Sequence, residues 1–232
     1  MIFKIKYLKF FAAFTFLFAA SFAGYSQSAK WDSTYRPANF KSKVDQFKSY
    51  PNSRKDIIFL GNSITAGTDW SELLGRRNIK NRGISSDITF GVLERLDEIV
   101  EGKPAKVFIL IGVNDISRNI PDETILENYK RIISRIKSAS PRTRIYFHTM
   151  LPTNNTFDKF KNHYNKEEHI LFLNKALKDL AIKEKITLVD LYPAFLDNEK
   201  RMDKKYTIDG LHLSLLGYAR WKELLEKGGY LN

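Results

Sequence analysis

A serine, an aspartate and a histidine stand where chain order and spacing suit nucleophilic catalysis. Residues 56–65, Asp-Ile-Ile-Phe-Leu-Gly-Asn-Ser-Ile-Thr, run an apolar strand into Gly61 and place Ser63 just beyond Asn62. Near the far end stands Asp209-Gly210-Leu211-His212, followed by an apolar helical stretch. A serine hydroxyl is a weak nucleophile until an adjacent imidazole takes its proton. The imidazole needs a carboxylate to fix its tautomer and steady the positive charge that develops. Ser63 as nucleophile, His212 as general base and Asp209 as the orienting acid supply all three parts, which predicts a serine hydrolase.

Each residue alone has a plainer reading. Ser63 suits the cap of a helix starting near Ile64, where the helix N-terminus would also favour developing negative charge. Asp209 could be an ordinary cap at the entrance of the last helix, with His212 a solvated residue beside it. The pair stands three positions apart and can hydrogen-bond there, which is why the combination outweighs its parts.

These residues belong to four short blocks: Gly61-Asn62-Ser63-Ile64, Asn81-Arg82-Gly83-Ile84-Ser85-Ser86-Asp87, Gly112-Val113-Asn114-Asp115 and Asp209-Gly210-Leu211-His212. In this order the chain resembles the SGNH (GDSL-type) esterase family, and within it acetylhydrolases similar to platelet-activating-factor acetylhydrolase catalytic subunits. The resemblance covers roughly residues 54–228, with Asn62 standing where the family has Asp. It implies that the backbone N–H groups of Ser63 and Gly83 and the side-chain amide of Asn114 form the oxyanion hole. Gly83 and residues 112–115 could instead be plain strand-ending turns. Asp87 and Asp115 read as structural caps or supporting partners.

The elements that must position these groups alternate along the chain. Apolar strand-like runs occur at 57–60, 79–84, 106–111, 144–149 and 186–190. Between them come helical periods: Ile88, Val92, Leu96, Ile99 and Val100 behind a Ser86 or Asp87 cap, then Ile125, Leu126, Tyr129, Ile132, Ile133 and Ile136, halted by Pro141. Leu171, Leu173, Leu177 and Leu180 mark a further helix, and Leu215, Trp221, Leu224 and Leu225 the last. Strands that are continuously apolar fit a parallel sheet buried on both faces. The expected fold is therefore α/β, a three-layer α/β/α sandwich on a five-stranded, mostly parallel sheet, flavodoxin-like as the resemblance implies. In such sheets ligands bind at the carboxyl ends of the strands, where Ser63, Gly83, Asn114 and the 209–212 segment all fall.

Composition narrows the remaining classes. Lys4, Lys6 and Lys9 precede the apolar run Phe10–Phe18 and the small residues Ala19, Ala20 and Ser21, the layout of a secretory signal peptide. Residues 1–26 are the expected signal segment, with cleavage after Ala23 or Ser26, followed by an N-terminal arm at 27–53 with a short helix near 40–49, and the hydrolase domain at 54–232. The apolar run is shorter than the roughly 20 residues of a membrane span, so no stable span is expected after cleavage. With no cysteine, disulfides and thiolate chemistry are excluded. The formal charge is +12, or +9 without the three signal lysines, but the basic residues are scattered among acids, so nucleic acid is not an expected partner.

No metal and no cofactor is expected: His163 and His169 lack the short spacing of zinc ligands, and neither a P-loop nor a dinucleotide fingerprint occurs. The expected partner is a small-molecule or glycan ester. The long polar segment 152–169, with Phe157, Phe160 and Tyr164 as its sizeable apolar groups, is the expected specificity wall. Its polarity favours a polar substrate over a long acyl chain, and the resemblance to acetylhydrolases implies a small acyl pocket and a short acyl group, acetyl above all. A lysophospholipase or thioesterase shares the same candidate residues, and a silent glycan-binding module would need none of them.

Overall fold

Along β1 (Ile57–Gly61) successive side chains point to opposite sides of a sheet, and both sides are buried. Ile58 and Leu60 enter one core, Ile57 and Phe59 the other. The computed structural model describes residues 30–232, so the expected signal segment lies outside the described residues. Trp31–Asn232 form one compact unit.

Chain order places α1 (Phe40–Lys48) before β1, then α2 (Ser63–Ala66), α3 (Trp70–Leu73) and β2 (Ile79–Gly83). There follow α4 (Thr89–Glu94), α5 (Leu96–Glu101), β3 (Lys106–Leu110), α6 (Val113–Ser117) and α7 (Asp122–Ala139). The last elements are β4 (Arg144–His148), α8 (Glu167–Glu184), β5 (Thr187–Val189) and α9 (Leu215–Lys227). All five strands pair in parallel, in the order β2-β1-β3-β4-β5. On one face α4, α5, α7 and α8 bring Val92, Ile99, Ile132 and Leu177 against Val107, Ile109 and Phe147. On the other, Trp70 of α3 and Trp221 of α9 pack over Phe59 and Phe108. The chain is thus a three-layer α/β/α sandwich, as its strand pattern predicts. α1 belongs to the same unit, with Phe40, Val44 and Phe47 buried against Ile84.

This strand order has a switch point. From β1 the chain moves outward to β2 and then returns to the other side as β3, leaving a crevice above the carboxyl ends of β1 and β3. Register sets those ends level, because Gly61 pairs with Gly83 on one side and with Leu110 on the other. The segments after β1, β2 and β3 therefore leave the sheet at the same height.

Several local expectations are corrected. The helix expected behind a Ser86 or Asp87 cap is two helices, broken at Arg95, and neither side chain caps the first. The Asp115 carboxylate does so from across the crevice, accepting from Thr89 N at 3.0 Å and from Thr89 Oγ1 at 2.5 Å. Leu171 and Leu215 are not core residues but exposed ones: Ile170 takes the buried position in α8, and Leu215 is 90% exposed. β2 is an edge strand, and its Lys80 and Asn81 are half-buried rather than apolar.

Asp115 is fully buried, and burial raises its carboxyl to about 7 from 3.8 despite the Thr89 hydrogen bonds, with Asp87 adding repulsion. An acid raised in the folded state holds its proton longer there than in the unfolded chain. Its contribution to stability is complete below about pH 4 and is lost as the pH rises through about 7. Urea unfolding of the wild type and Asp115→Asn between pH 4 and 8 should show the variant gaining on the wild type as pH rises. A difference in stability that does not change with pH would contradict this.

Candidate active site

Ser63 reaches the surface because β1 ends at Gly61 and the chain turns at once into α2. The cap of that helix is Asn62, not Ser63 as its sequence position suggested: Asn62 Oδ1 accepts from Ile64 N at 3.0 Å. Ser63 is the first helical residue, so its backbone N–H has no acceptor within the helix. α2 spans only four residues, so it offers individual N–H groups rather than the field of a long helix.

The chain returns to Ser63 through residues 207–213, a loop closed by an antiparallel bridge between Thr207 and Leu213. Asp209 and His212 lie inside this loop and not at a helix entrance, since Ser214 caps α9 instead. Gly210 makes the turn possible. Its φ of 82° is a conformation L side chains rarely adopt, and a Cβ there would stand 2.4 Å from Asn154 O. The turn folds Leu211 N (3.1 Å) and His212 N (2.7 Å) back onto Asp209 Oδ1. Asp209 Oδ2 meets His212 Nδ1 at 2.9 Å, and His212 Nε2 meets Ser63 Oγ at 2.9 Å.

Electrostatics suits this geometry. Burial alone would raise the Asp209 carboxyl, but the His212 backbone and ring bonds and the Leu211 N–H hold it below its usual value. An ionised Asp209 keeps the hydrogen of neutral His212 on Nδ1 and leaves Nε2 as the acceptor facing the serine. His212 is 24% exposed at its side chain, so the arrangement is open to a substrate. A carboxylate, an imidazole and a hydroxyl in this line can move a proton off Ser63 as its oxygen attacks.

The implied oxyanion donors are brought to the same rim. Gly83 packs directly beneath α2, where a Cβ would lie 2.3 Å from Ala66 N, so no other residue fits without moving the helix. Its N–H donates to Asn81 Oδ1 at 2.8 Å, so that donor is shared with the protein rather than free. Asn114 follows β3, and its Nδ2 donates to Asp87 O at 2.9 Å, leaving the second N–H of the amide available. Asp87 is itself held by a buried ion pair with Arg95 at 3.0 Å, and Arg95 also donates to Gly61 O. Asp87 and Asp115 thus support the site without facing the serine.

The expected specificity wall divides. The Phe160 ring stands edge-on to the His212 ring, centroids 4.9 Å apart. Tyr164 is buried and turned inward, donating from its hydroxyl to Asp209 O at 2.5 Å, which supports the acid loop. Phe157 is half-buried beside Gly210. His163, whose spacing does not suit a metal ligand, enters the site: its Nε2 lies 3.0 Å from Asn114 Oδ1. Nothing next to it in sequence signals that role, because its partner is 49 positions away. His169 pairs with Asp122 at 2.9 Å. Among the described residues no three His, Cys, Asp or Glu side chains are grouped to hold a metal ion.

Fold and site together define an α/β serine ester hydrolase, and sequence comparison agrees. Residues 59–220 match the GDSL-like Lipase/Acylhydrolase family, and the chain belongs to it. Platelet-activating factor acetylhydrolase IB subunit alpha1 of Pongo abelii is 26% identical over 170 residues, covering 71% of each chain. A Streptococcus pneumonia structure described as a platelet activating factor is 31% identical, with a TM-score of 0.76 over 84% of this chain and 92% of that one. A Bacteroides fragilis structure described as an acylhydrolase superposes with a TM-score of 0.73 at 25% identity, covering 85% of this chain and all of the other.

If Ser63 and His212 act as one unit, Ser63→Ala and His212→Ala should each cost several orders of magnitude in kcat, and the double variant little more. Losses that add across the double variant would show that the two side chains act separately.

Proposed function

We propose that this chain is an exported esterase that releases short acyl groups, acetyl above all, from oxygen esters of carbohydrates or other small polar alcohols. The reaction starts when Ser63 Oγ attacks the ester carbonyl while its proton passes to His212 Nε2. Asp209 steadies the imidazolium, and the Ser63 N–H and Asn114 amide face the oxyanion, Gly83 N–H joining them where Asn81 yields it. Collapse of the intermediate breaks the ester C–O bond, and His212 returns the proton to the departing alcohol. A water molecule, activated by the same imidazole, then cleaves the acyl-serine, releasing the carboxylic acid and restoring Ser63.

The observation that carries the short-acyl reading is the wall of the site. Of the three apolar groups in 152–169, only Phe160 stands against His212, while Tyr164 is committed to Asp209. One aromatic ring suits a small acyl group better than an extended chain. The acetylhydrolase name carried by the relatives supports the same choice. One observation favours a second reading, a longer acyl ester: Ile208, Leu215 and Leu216 are exposed at either end of the 209–212 segment. A polar alcohol is supported by the remaining polarity of 152–169.

p-Nitrophenyl esters from acetate to decanoate, with acetylated sugars and lysophospholipids alongside, test the choice against Ser63→Ala as blank. kcat/KM should be highest for acetate and for acetylated sugars. A maximum at octanoate or longer would replace this reading with the second.

Export rests on the three lysines and the apolar run at the N-terminus. No helix among the described residues is long and apolar enough to cross a membrane. Expressed in a bacterium with residues 1–26 intact, the protein recovered outside the cytoplasm should begin at Gly24 or Gln27 by N-terminal sequencing. Full-length chain beginning at Met1 and retained in the membrane fraction would overturn the proposal of cleavage and export.

A further inference from the structure

We infer that His163 is a positioning residue for the oxyanion hole, donating from Nε2–H to Asn114 Oδ1 so that the Asn114 amide presents its free N–H to the developing oxyanion. The inference rests on the esterase reading above and deepens it.

Hydrogen-bond polarity alone fixes the arrangement. Asp87 O can only accept, so the atom of Asn114 that faces it at 2.9 Å is the amide nitrogen. The carbonyl end, Oδ1, must then face His163 Nε2 at 3.0 Å. Oδ1 also only accepts, so Nε2 must carry the hydrogen. In the neutral ring this leaves Nδ1 a bare lone pair. Nδ1 is buried and has no hydrogen-bond partner among the described residues.

That orphan acceptor argues against a role in stability, since an unsatisfied buried polar atom is costly. What the ring accomplishes is to hold the carbonyl end of the Asn114 side chain, whose amide end is already held by Asp87 O. With Asp87 O on one N–H and His163 on Oδ1, the amide plane is fixed, and one N–H remains. An amide whose oxygen accepts a hydrogen bond is further polarised, which makes its N–H a stronger donor. An oxyanion hole gains from both, because donors already oriented need no rearrangement as charge develops.

The charge of the ring fits the role. Burial, reinforced by the nearby His212 and Arg118, lowers His163 to about 4, with Asp209 acting in the opposite direction. His163 is therefore neutral near pH 7 and adds no second cation beside His212 when that ring takes the serine proton. Phe160 lies edge-on to both imidazoles, its centroid 5.9 Å from that of His163 and 4.9 Å from that of His212. The 3₁₀ turn Lys161–His163 that carries the ring is anchored by His163 N to Phe160 O at 2.8 Å.

The test is a double-mutant cycle between His163→Ala and Asn114→Ala on p-nitrophenyl acetate, with melting temperatures measured for all four proteins. Asn114→Ala should lower kcat by about 10²–10³, as removal of one oxyanion donor does elsewhere. His163→Ala should lower kcat by about 10- to 100-fold, the scale expected when a reacting group is held less exactly, with KM little changed. In the Asn114→Ala background His163→Ala should cost nothing further, since it acts through that amide. His163→Gln, whose amide nitrogen can stand near the place of Nε2, should recover most of the loss, and the shorter His163→Asn should not.

An equal loss in both backgrounds, a loss confined to KM, or a fall in melting temperature with kcat intact would overturn the inference. A readout that needs no turnover keeps it separate from the esterase reading. In ¹⁵N-histidine NMR of the wild type, His163 should be the Nε2–H tautomer, and its Nε2–H signal should shift in Asn114→Ala. A Nδ1–H tautomer would overturn the inference whatever the activity. Failure of the wild type to hydrolyse any ester would instead fall on the esterase reading.

Discussion

The hydrogen bond between Ser63 Oγ and His212 Nε2 joins residues 149 positions apart, and the rest of the molecule must hold two distant segments to within its 2.9 Å. Three contacts hold them. Tyr218 of α9 donates its hydroxyl to Ile64 O at 2.8 Å, one residue beyond the serine. Trp70 Nε1 donates to Thr65 O at 2.8 Å, and the Trp70 ring packs edge-on to Trp221 of α9, centroids 4.7 Å apart. The helix that follows His212 is thereby tied to the helix that begins with Ser63. Both Trp side chains are fully buried, so the tie lies in the core and does not depend on the loop itself.

A second set of contacts acts on the other side of the serine. Asp87 and Arg95 form an ion pair whose side chains are both nearly inaccessible, and burial pushes the Asp87 carboxyl up against the pull of Arg95. Such a pair adds little net stability, but removing one partner would strand the other and cost about 3–5 kcal/mol. Its geometry explains its place. Arg95 bonds Gly61 O at the end of β1, while the Asp87 carbonyl bonds the Asn114 amide after β3. The pair therefore spans the crevice at the switch point and fixes the spacing between the proposed nucleophile and the proposed oxyanion donor.

Much of this was legible in the residues. The strands other than the edge strand β2 announced themselves as short apolar runs because the sheet is buried on both faces, and the order of chemical residues matched the ends of the strands. Capping was less legible, because a cap is a contact and not a composition. Asn62 rather than Ser63 caps α2, and Asp115, 26 positions from Thr89, caps α4 in place of its neighbours Ser86 and Asp87. Leu171 and Leu215 fit an apolar period yet face solvent, since a period of leucines does not say which of them lies on the packed side. His163 is illegible for a related reason: spacing along the chain tests for metal ligands, whereas its partner is an amide reached only through the fold.

The account turns on one oxygen being more nucleophilic than every other hydroxyl in the chain. Reaction with a fluorophosphonate, followed by intact mass and peptide mapping, tests this directly, since the reagent forms a stable ester only with an activated serine. The account predicts a single adduct, located on Ser63, that forms at a rate far above that of the heat-unfolded protein. An adduct on a different residue, or none under conditions where the folded protein is intact, would contradict it.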